Sequence, residues 1–225
     1  MKVTWLGQGG FLFEHNETKI IVDPYLSDSC EKVNPKLKRR FPVDKKFLEI
    51  CPDILILTHN HLDHTDPETL EIYLNKGKPV TVLASGNAWA TVRKFGGEHN
   101  YVTFNEGTEF TVSGITFKAI YAEHSDDYSI GVLFGIEGKN YYITGDTLYN
   151  KKILNQLPED IYAVFLPING RGNNMNGYDA KRFAKETKAE KAVPYHFSLF
   201  DSINAKEEFD FKKAVIPTPF NEIDI

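Results

Sequence analysis

The sequence predicts an α+β protein, and three observations carry that expectation. Short apolar segments of strand length crowd the first half of the chain. Later, such segments alternate with stretches of helical period. Ile54–Leu57 is apolar at every position, the pattern of a strand buried on both faces.

Taken in order, Val3–Leu6, Phe11–Glu14 and Lys19–Val22 read as strands, separated by turn residues at Gly9–Gly10 and Asn16. Asp23-Pro24 ends the third. From Ser27 to about Pro42 there is no clean period, and Pro35 and Pro42 interrupt it, so a long loop is expected. After Ile54–Leu57 comes a polar loop, then Asp66-Pro67, an N-cap with proline at the first helical position. Further strands are expected at Val80–Leu83, Ile115–Ile120, Ser129–Phe134, Tyr141–Thr144, Ala163–Leu166 and Lys191–Pro194. Helices are expected at Ala88–Lys94 and Asp179–Thr187. No short repeat and no low-complexity tract interrupts the 225 residues, which suit one domain spanning 1–225.

Composition narrows the function. A net charge of -5 argues against a general nucleic-acid binder. The charge is uneven, because the Glu31–Lys46 segment holds Lys32, Lys36, Lys38, Arg39, Arg40, Lys45 and Lys46 against Glu31 and Asp44. Cys30 and Cys51 are too few for a disulfide framework and read as reduced thiols. The start, MKVTWLGQGG, offers glycines where a signal peptide needs an apolar run, and no stretch is long and apolar enough for a membrane span. A cytoplasmic protein is expected by default, and a homo-oligomer is left open.

The chemistry concentrates in Thr58-His59-Asn60-His61-Leu62-Asp63-His64, directly after the buried strand. Chance placement of His-x-His-x-Asp-His in a chain of this composition has a probability of about 0.0004, which rejects a histidine-rich solvated turn. Imidazole suits zinc, manganese and iron, and a carboxylate adds charge and hardness. His59 and His61 can face one ion while Asp63 and His64 address a second beside it. Further ligands belong where other strands end. His124 follows Ile115–Ile120, Asp146 follows Tyr141–Thr144 with Gly145 permitting a tight turn, and His196 follows Lys191–Pro194. His15 and His99 lack that context and read as a strand end and a surface turn.

Thr-His-x-His-x-Asp-His, a later lone His, Gly-Asp and a C-terminal His together resemble the metallo-β-lactamase superfamily, from Trp5–Phe11 through Asp23-Pro24 to His196. The resemblance implies an αβ/βα four-layer sandwich with the metal site on one edge. It implies that His59, His61 and His124 hold a first metal, that Asp63, His64 and His196 hold a second, and that Asp146 bridges them. Zinc or manganese is expected, with iron as an alternative. Trp5-Leu6-Gly7, Thr144–Tyr149, Asn169–Met175 and Ala192–His196 most resemble the L-ascorbate-6-phosphate lactonase-like group. Flavodiiron-type redox proteins would show glutamate at His61, and the antibiotic-degrading enzymes typically show cysteine at Asp146.

Two adjacent dications bring the pKa of a bridging water toward about 7 and so supply hydroxide at neutral pH. The expectation is therefore a dinuclear, lactonase-like hydrolase of a small, phosphorylated or unphosphorylated metabolite. A phosphodiesterase acting on a nucleotide or lipid head group is the alternative, and a non-enzymatic metal-binding regulator stands behind both. Asp63 is the candidate to orient the nucleophile or carry its proton. Arg171, Asn174 and Tyr195 are candidate substrate contacts. Asp23 is expected to support the loops around the site rather than bind metal.

Overall fold

A computed structural model describes all 225 residues. The first sheet begins as an antiparallel meander of β1 (Lys2–Gly7), β2 (Gly10–His15) and β3 (Thr18–Val22). It continues in parallel through β4 (Ile54–Leu57), β5 (Thr81–Ala84) and β6 (Asn100–Thr103). The second sheet repeats the plan. β7 (Glu109–Val112), β8 (Ile115–Tyr121), β9 (Ile130–Ile136) and β10 (Lys139–Ile143) are antiparallel, and β11 (Ile161–Pro167) and β12 (Lys191–Tyr195) are parallel additions. Ser113-Gly114 and Glu137-Gly138 close two of its hairpins with φ positive at both residues, the turn whose twist matches the strands it joins.

Parallel neighbours need crossovers. α1 (Ser29–Val33) precedes β4. α2 (Pro67–Leu74) and α3 (Gly86–Val92) connect β4 to β5 and β5 to β6. α4 (Lys151–Leu154) and α5 (Gly177–Glu186) connect the later strands, and α6 (Ala205–Glu208) follows β12. Helices lie outside two face-to-face sheets, the expected αβ/βα sandwich. No helix is long and apolar enough to cross a membrane.

The alternation of β4 shows how the layers are glued. Ile54 and Ile56 enter the core between the sheets, whereas Leu55 and Leu57 pack beneath α2 and α3 with Leu70, Tyr73 and Ala88. Across the central core Phe11 meets Phe165 at 4.9 Å and Phe13 meets Phe134 at 5.2 Å between ring centroids, both edge to face. These contacts fix one sheet against the other, and with it the relative position of their strand ends.

The expected elements are present, with ends shifted by no more than two residues. Asp66 caps α2 through the Glu68 and Thr69 amides, with Pro67 at the first position. The long loop expected from Ser27 to Pro42 is corrected: it contains α1 and a 3-10 turn at Pro35–Leu37, and a second 3-10 turn follows at Lys45–Glu49. Arg39 organises it. Its buried guanidinium donates to the Tyr25 and Ser27 carbonyls at 2.9 and 3.4 Å and lies over the Tyr25 ring. β6 and β7 had no signal in the sequence because each is a sheet edge with no fully buried residue.

Candidate metal centre

Each candidate ligand sits just past a strand, on the edge where both sheets end. His59 to His64 follow β4, His124 follows β8, Asp146 follows β10 and His196 follows β12. The two sheets are stitched together here: the Ile130 amide donates to the Thr58 carbonyl at 3.1 Å, and Asp126 accepts the Asn60 amide at 2.8 Å, the Asn87 side chain at 2.7 Å and the Tyr128 amide at 3.0 Å. Gly145 is obligatory, with φ at 63° and the Ile130 carbonyl oxygen only 2.3 Å from where a Cβ would stand. Gln8, Asp23, Asn173, His196 and Ser198 also have positive φ, half of the ten non-glycine residues that do. Backbone strain is thus concentrated around the site.

The side chains form two groups. His59, His61 and His124 place ligand atoms within 4.8 Å of one another, and so do Asp63, His64 and His196. Asp146 adjoins the second group, its Oδ1 at 3.4 Å from His64 Nε2 and its Oδ2 at 3.1 Å from His196 Nε2. Whether these residues fit a metal is decided by what they leave unpaired. His59 Nε2, His64 Nε2 and Asp146 Oδ1 are buried without a hydrogen-bond partner. Orphaned buried polar atoms are costly, and three of them within one cluster are the vacant lone pairs a cation takes up.

The neighbours set which nitrogen faces inward. Asp23 Oδ2 accepts from His64 Nδ1 at 2.8 Å and from the Thr58 hydroxyl at 2.5 Å, while Oδ1 accepts the Thr58 amide at 2.8 Å. The same hydroxyl lies 3.0 Å from His59 Nδ1. Since Thr58 donates to Asp23, it accepts from His59, so both rings carry a proton on Nδ1 and turn Nε2 to the centre, the nitrogen that a metal would take. Asp23, His59 and His64 are themselves close enough to form a metal-sized group, but the Asp23 carboxylate already accepts these three hydrogen bonds.

Electrostatics differ between the groups. Burial pushes His59 well below the ordinary histidine range, helped by His64, and burial also lowers His124. In the other group burial opposes the charged form of His64, yet Asp146, Asp23 and Asp63 together drive its pKa well up. His196, against its own burial, is pushed up to about 9, chiefly by Asp146. Burial would raise Asp146, but His196 and His64 hold it well below the usual carboxylate range, and Asp63 is lowered by His64 and His196 against the same penalty. This carboxylate-rich group draws positive charge onto its imidazoles, the attraction a dication would satisfy.

A model of the β-lactamase superfamily domain matches residues 2–196. The chain belongs to the metallo-β-lactamase superfamily. A metal-dependent hydrolase of the UPF0173 family from Staphylococcus epidermidis is 31% identical over 96% of this chain and 93% of its own. The family shared with that protein is one of metal-dependent hydrolases, which are enzymes. Among solved structures, the metallo hydrolase Igni18 from Ignicoccus hospitalis superposes with a TM-score of 0.78 at 20% identity, over 98% of this chain and 96% of its own. An isothiocyanate hydrolase from Delia radicum gut bacteria superposes at 0.75 and 20% identity, over 100% and 99%. These two likenesses show the shared fold.

In this member of the superfamily a cavity of about 460 Å³ opens over the two groups, reaching His61, Asp63, Asp146 and His196. Arg171 lines it. Asn174 also lines it, but is largely buried and donates to Asp146 Oδ2 at 2.8 Å, so it holds the carboxylate as well as facing the cavity. Tyr195 requires correction as a substrate contact. It ends β12 with its ring turned into the inter-sheet core, edge-on to Phe11 at 5.5 Å, and its hydroxyl donates to the Gly145 carbonyl at 2.6 Å. His99 is no surface turn residue either: it accepts from the Val80 amide and donates to the Leu74 carbonyl. Gln8 went unnoticed in the sequence. Its amide donates to Asp63 Oδ2 at 2.7 Å and lies 3.1 Å from His196 Nε2, and a lone glutamine carries no signal that would have found it.

Proposed function

We propose that residues 1–225 act as one lactonase-like hydrolase domain that holds two divalent ions, zinc or manganese, and cleaves the ester bond of a small metabolite. The reading rests on one observation above the others, the buried and unpaired His59 Nε2, His64 Nε2 and Asp146 Oδ1, in a cluster whose Asp146, Asp63, His61 and His196 line an open cavity. His59, His61 and His124 would hold one ion, Asp63, His64 and His196 the other, with Asp146 shared. Bound there, the ions would activate water at neutral pH and polarise the oxygen of the scissile bond.

The chain's own groups do the rest. Asp23 and Thr58 orient two imidazoles, Asn174 steadies Asp146, and Gln8 steadies Asp63. Asp63 lines the cavity, so it is the group to orient the nucleophile and accept its proton. The likeness of Asn169–Met175 and Ala192–His196 to the ascorbate-phosphate lactonase-like group supports a lactone or ester over a phosphodiester.

The test is a screen of lactones and simple esters beside bis(p-nitrophenyl) phosphate, with zinc, manganese and iron each supplied and metal content measured. Lactone or ester turnover with close to two ions per chain is expected, since seven ligands exceed one tetrahedral site. Turnover of the phosphodiester alone would transfer the reading to a phosphodiesterase. One ion or none after reconstitution would refute the paired site.

A further inference from the structure

We propose that the substrate carries an oxyanion group, carboxylate or phosphate, away from its scissile bond, and that Lys36 and Arg171 receive it. This rests on the hydrolase reading above and adds the substrate's chemical class. The sequence marked the whole Glu31–Lys46 segment as basic, and the structure selects one residue of it. Lys32 pairs with Glu68 at 2.6 Å, Lys38 with Glu31 at 3.4 Å and Lys46 with Asp44 at 2.9 Å. Arg39 is buried against backbone carbonyls. Arg40 and Lys45 line a separate depression. Lys36 alone of the seven lines the cavity over the metal centre.

Lys36 and Arg171 are the only lysine and arginine in that cavity, and neither side chain makes an ion pair or a hydrogen bond. They come from separate segments that are each held in shape. Lys36 is the middle residue of the 3-10 turn Pro35–Leu37, whose start is capped by the Asn34 side chain accepting the Lys36 amide at 3.1 Å. Arg171 rides a loop closed at its base, where the Gly170 amide donates to the Met175 carbonyl at 3.0 Å and the Met175 amide to the Thr147 carbonyl at 2.8 Å. That last bond ties the Arg171 loop to the residue after Asp146. The left-handed φ of 62° at Gly170, Gly172 and Asn173 makes the turn that presents Arg171.

The lining favours an anion over a neutral apolar body. Only Leu37 and Phe200 of the fifteen lining residues are hydrophobic. Asp201, the one acid there outside the candidate ligands, spends Oδ1 on the Ser198 and Ile203 amides. Two dications would outweigh Asp63 and Asp146 at the floor. A guanidinium fork and an ammonium facing one small cavity match a carboxylate or phosphate and gain from its charge-assisted bonds. A volume of about 460 Å³ holds a small metabolite with both its reacting and its anionic end inside.

The experiment uses the metal-loaded full chain with p-nitrophenyl butyrate and mono-p-nitrophenyl glutarate, which share an ester and differ by a carboxylate. Isotherms for glutarate and for glycerol 3-phosphate run alongside, with glycerol as the neutral control. Lys36→Ala and Arg171→Ala should each lower the glutarate-to-butyrate ratio of kcat/KM by about tenfold or more, mainly through KM, as loss of one charge-assisted hydrogen bond predicts. Lys36→Arg and Arg171→Lys should restore most of that ratio, and KM for the anionic ester should rise with salt. Tighter binding of glycerol 3-phosphate than glutarate assigns a phosphate, and the reverse assigns a carboxylate. Equal losses on both esters would show that these residues only shape the loops, and would overturn the proposal. If neither ester turns over, the ester-hydrolase reading fails on its own, and the isotherms still decide: anion affinity unaltered by either alanine overturns the oxyanion site.

Discussion

Asp23→Asn is the sharpest perturbation of this centre, because it changes donor for acceptor without changing shape. Asparagine tolerates the left-handed φ of 42° at this position, so the backbone should hold. The carboxylate accepts three hydrogen bonds, from the Thr58 amide, the Thr58 hydroxyl and His64 Nδ1. An amide offers one acceptor oxygen, and either orientation sets its NH2 against a donor. With the oxygen kept on the Thr58 amide, the NH2 faces both the Thr58 hydroxyl and His64 Nδ1–H. His64 then resolves the clash by moving its proton to Nε2, the atom that faces the centre. The hydroxyl, now receiving a proton, donates toward His59 Nδ1 and inverts that ring as well. Loss of such an orienting partner typically costs about 10- to 100-fold in metal affinity, or about 1.4–2.7 kcal/mol. Chelator competition against zinc would measure it, and imidazole nitrogen NMR shifts would report the tautomers directly. Thr58→Val is the companion variant: it cuts the relay to His59 and leaves the Asp23–His64 bond in place, so it should weaken one ion more than the other. Affinity within about twofold of wild type, with His64 still protonated on Nδ1, would refute the relay.

Asp146→Ala should reduce turnover by orders of magnitude relative to His99→Ala at matched folding and metal content. His99→Ala should instead cost about 1–3 kcal/mol of stability in denaturant titration, because it strips partners from the Val80 amide and the Leu74 carbonyl. Tyr195→Phe should leave KM at its wild-type value and lower Tm by about 2–4 °C, the consequence of removing one of the two hydroxyls, the other being that of Thr144, that donate to the Gly145 carbonyl. A rise in KM would return Tyr195 to the substrate. Thiol titration at pH 8 should find one reactive cysteine per native chain and two after unfolding. Burial pushes Cys30 up to about 11, so its thiolate, the reactive form, is absent three units below that value, whereas Cys51 is exposed.

How much of this was legible depends on how far apart the cooperating residues lie in the chain. The His59–His64 run needs no partner to be recognised, since its density is local and the buried strand before it is local too. His124, Asp146 and His196 were legible one at a time, because each follows a strand whose apolar pattern is visible. The edge strands β6 and β7 were not: a strand with no fully buried residue lacks the periodicity that betrays one. The basic Glu31–Lys46 segment was visible as charge, yet its helix and 3-10 turns depend on Arg39 bonding carbonyls twelve and fourteen residues away.

What the sequence determined by itself was therefore the kind of chemistry: imidazole and carboxylate donors on strand ends in an α+β chain. The tertiary structure decided which side chains meet. Gln8 reaches Asp63 across 55 residues and His196 across 188, and Tyr195, one residue before a candidate ligand, turns inward to the core. Neither outcome has a local cause. Both follow from the packing of Phe11, Phe13, Phe134 and Phe165 between the sheets, which sets the register of one strand end against another. A residue type can be read along a chain because its chemistry is its own. A distance between two side chains belongs to the core that lies between them.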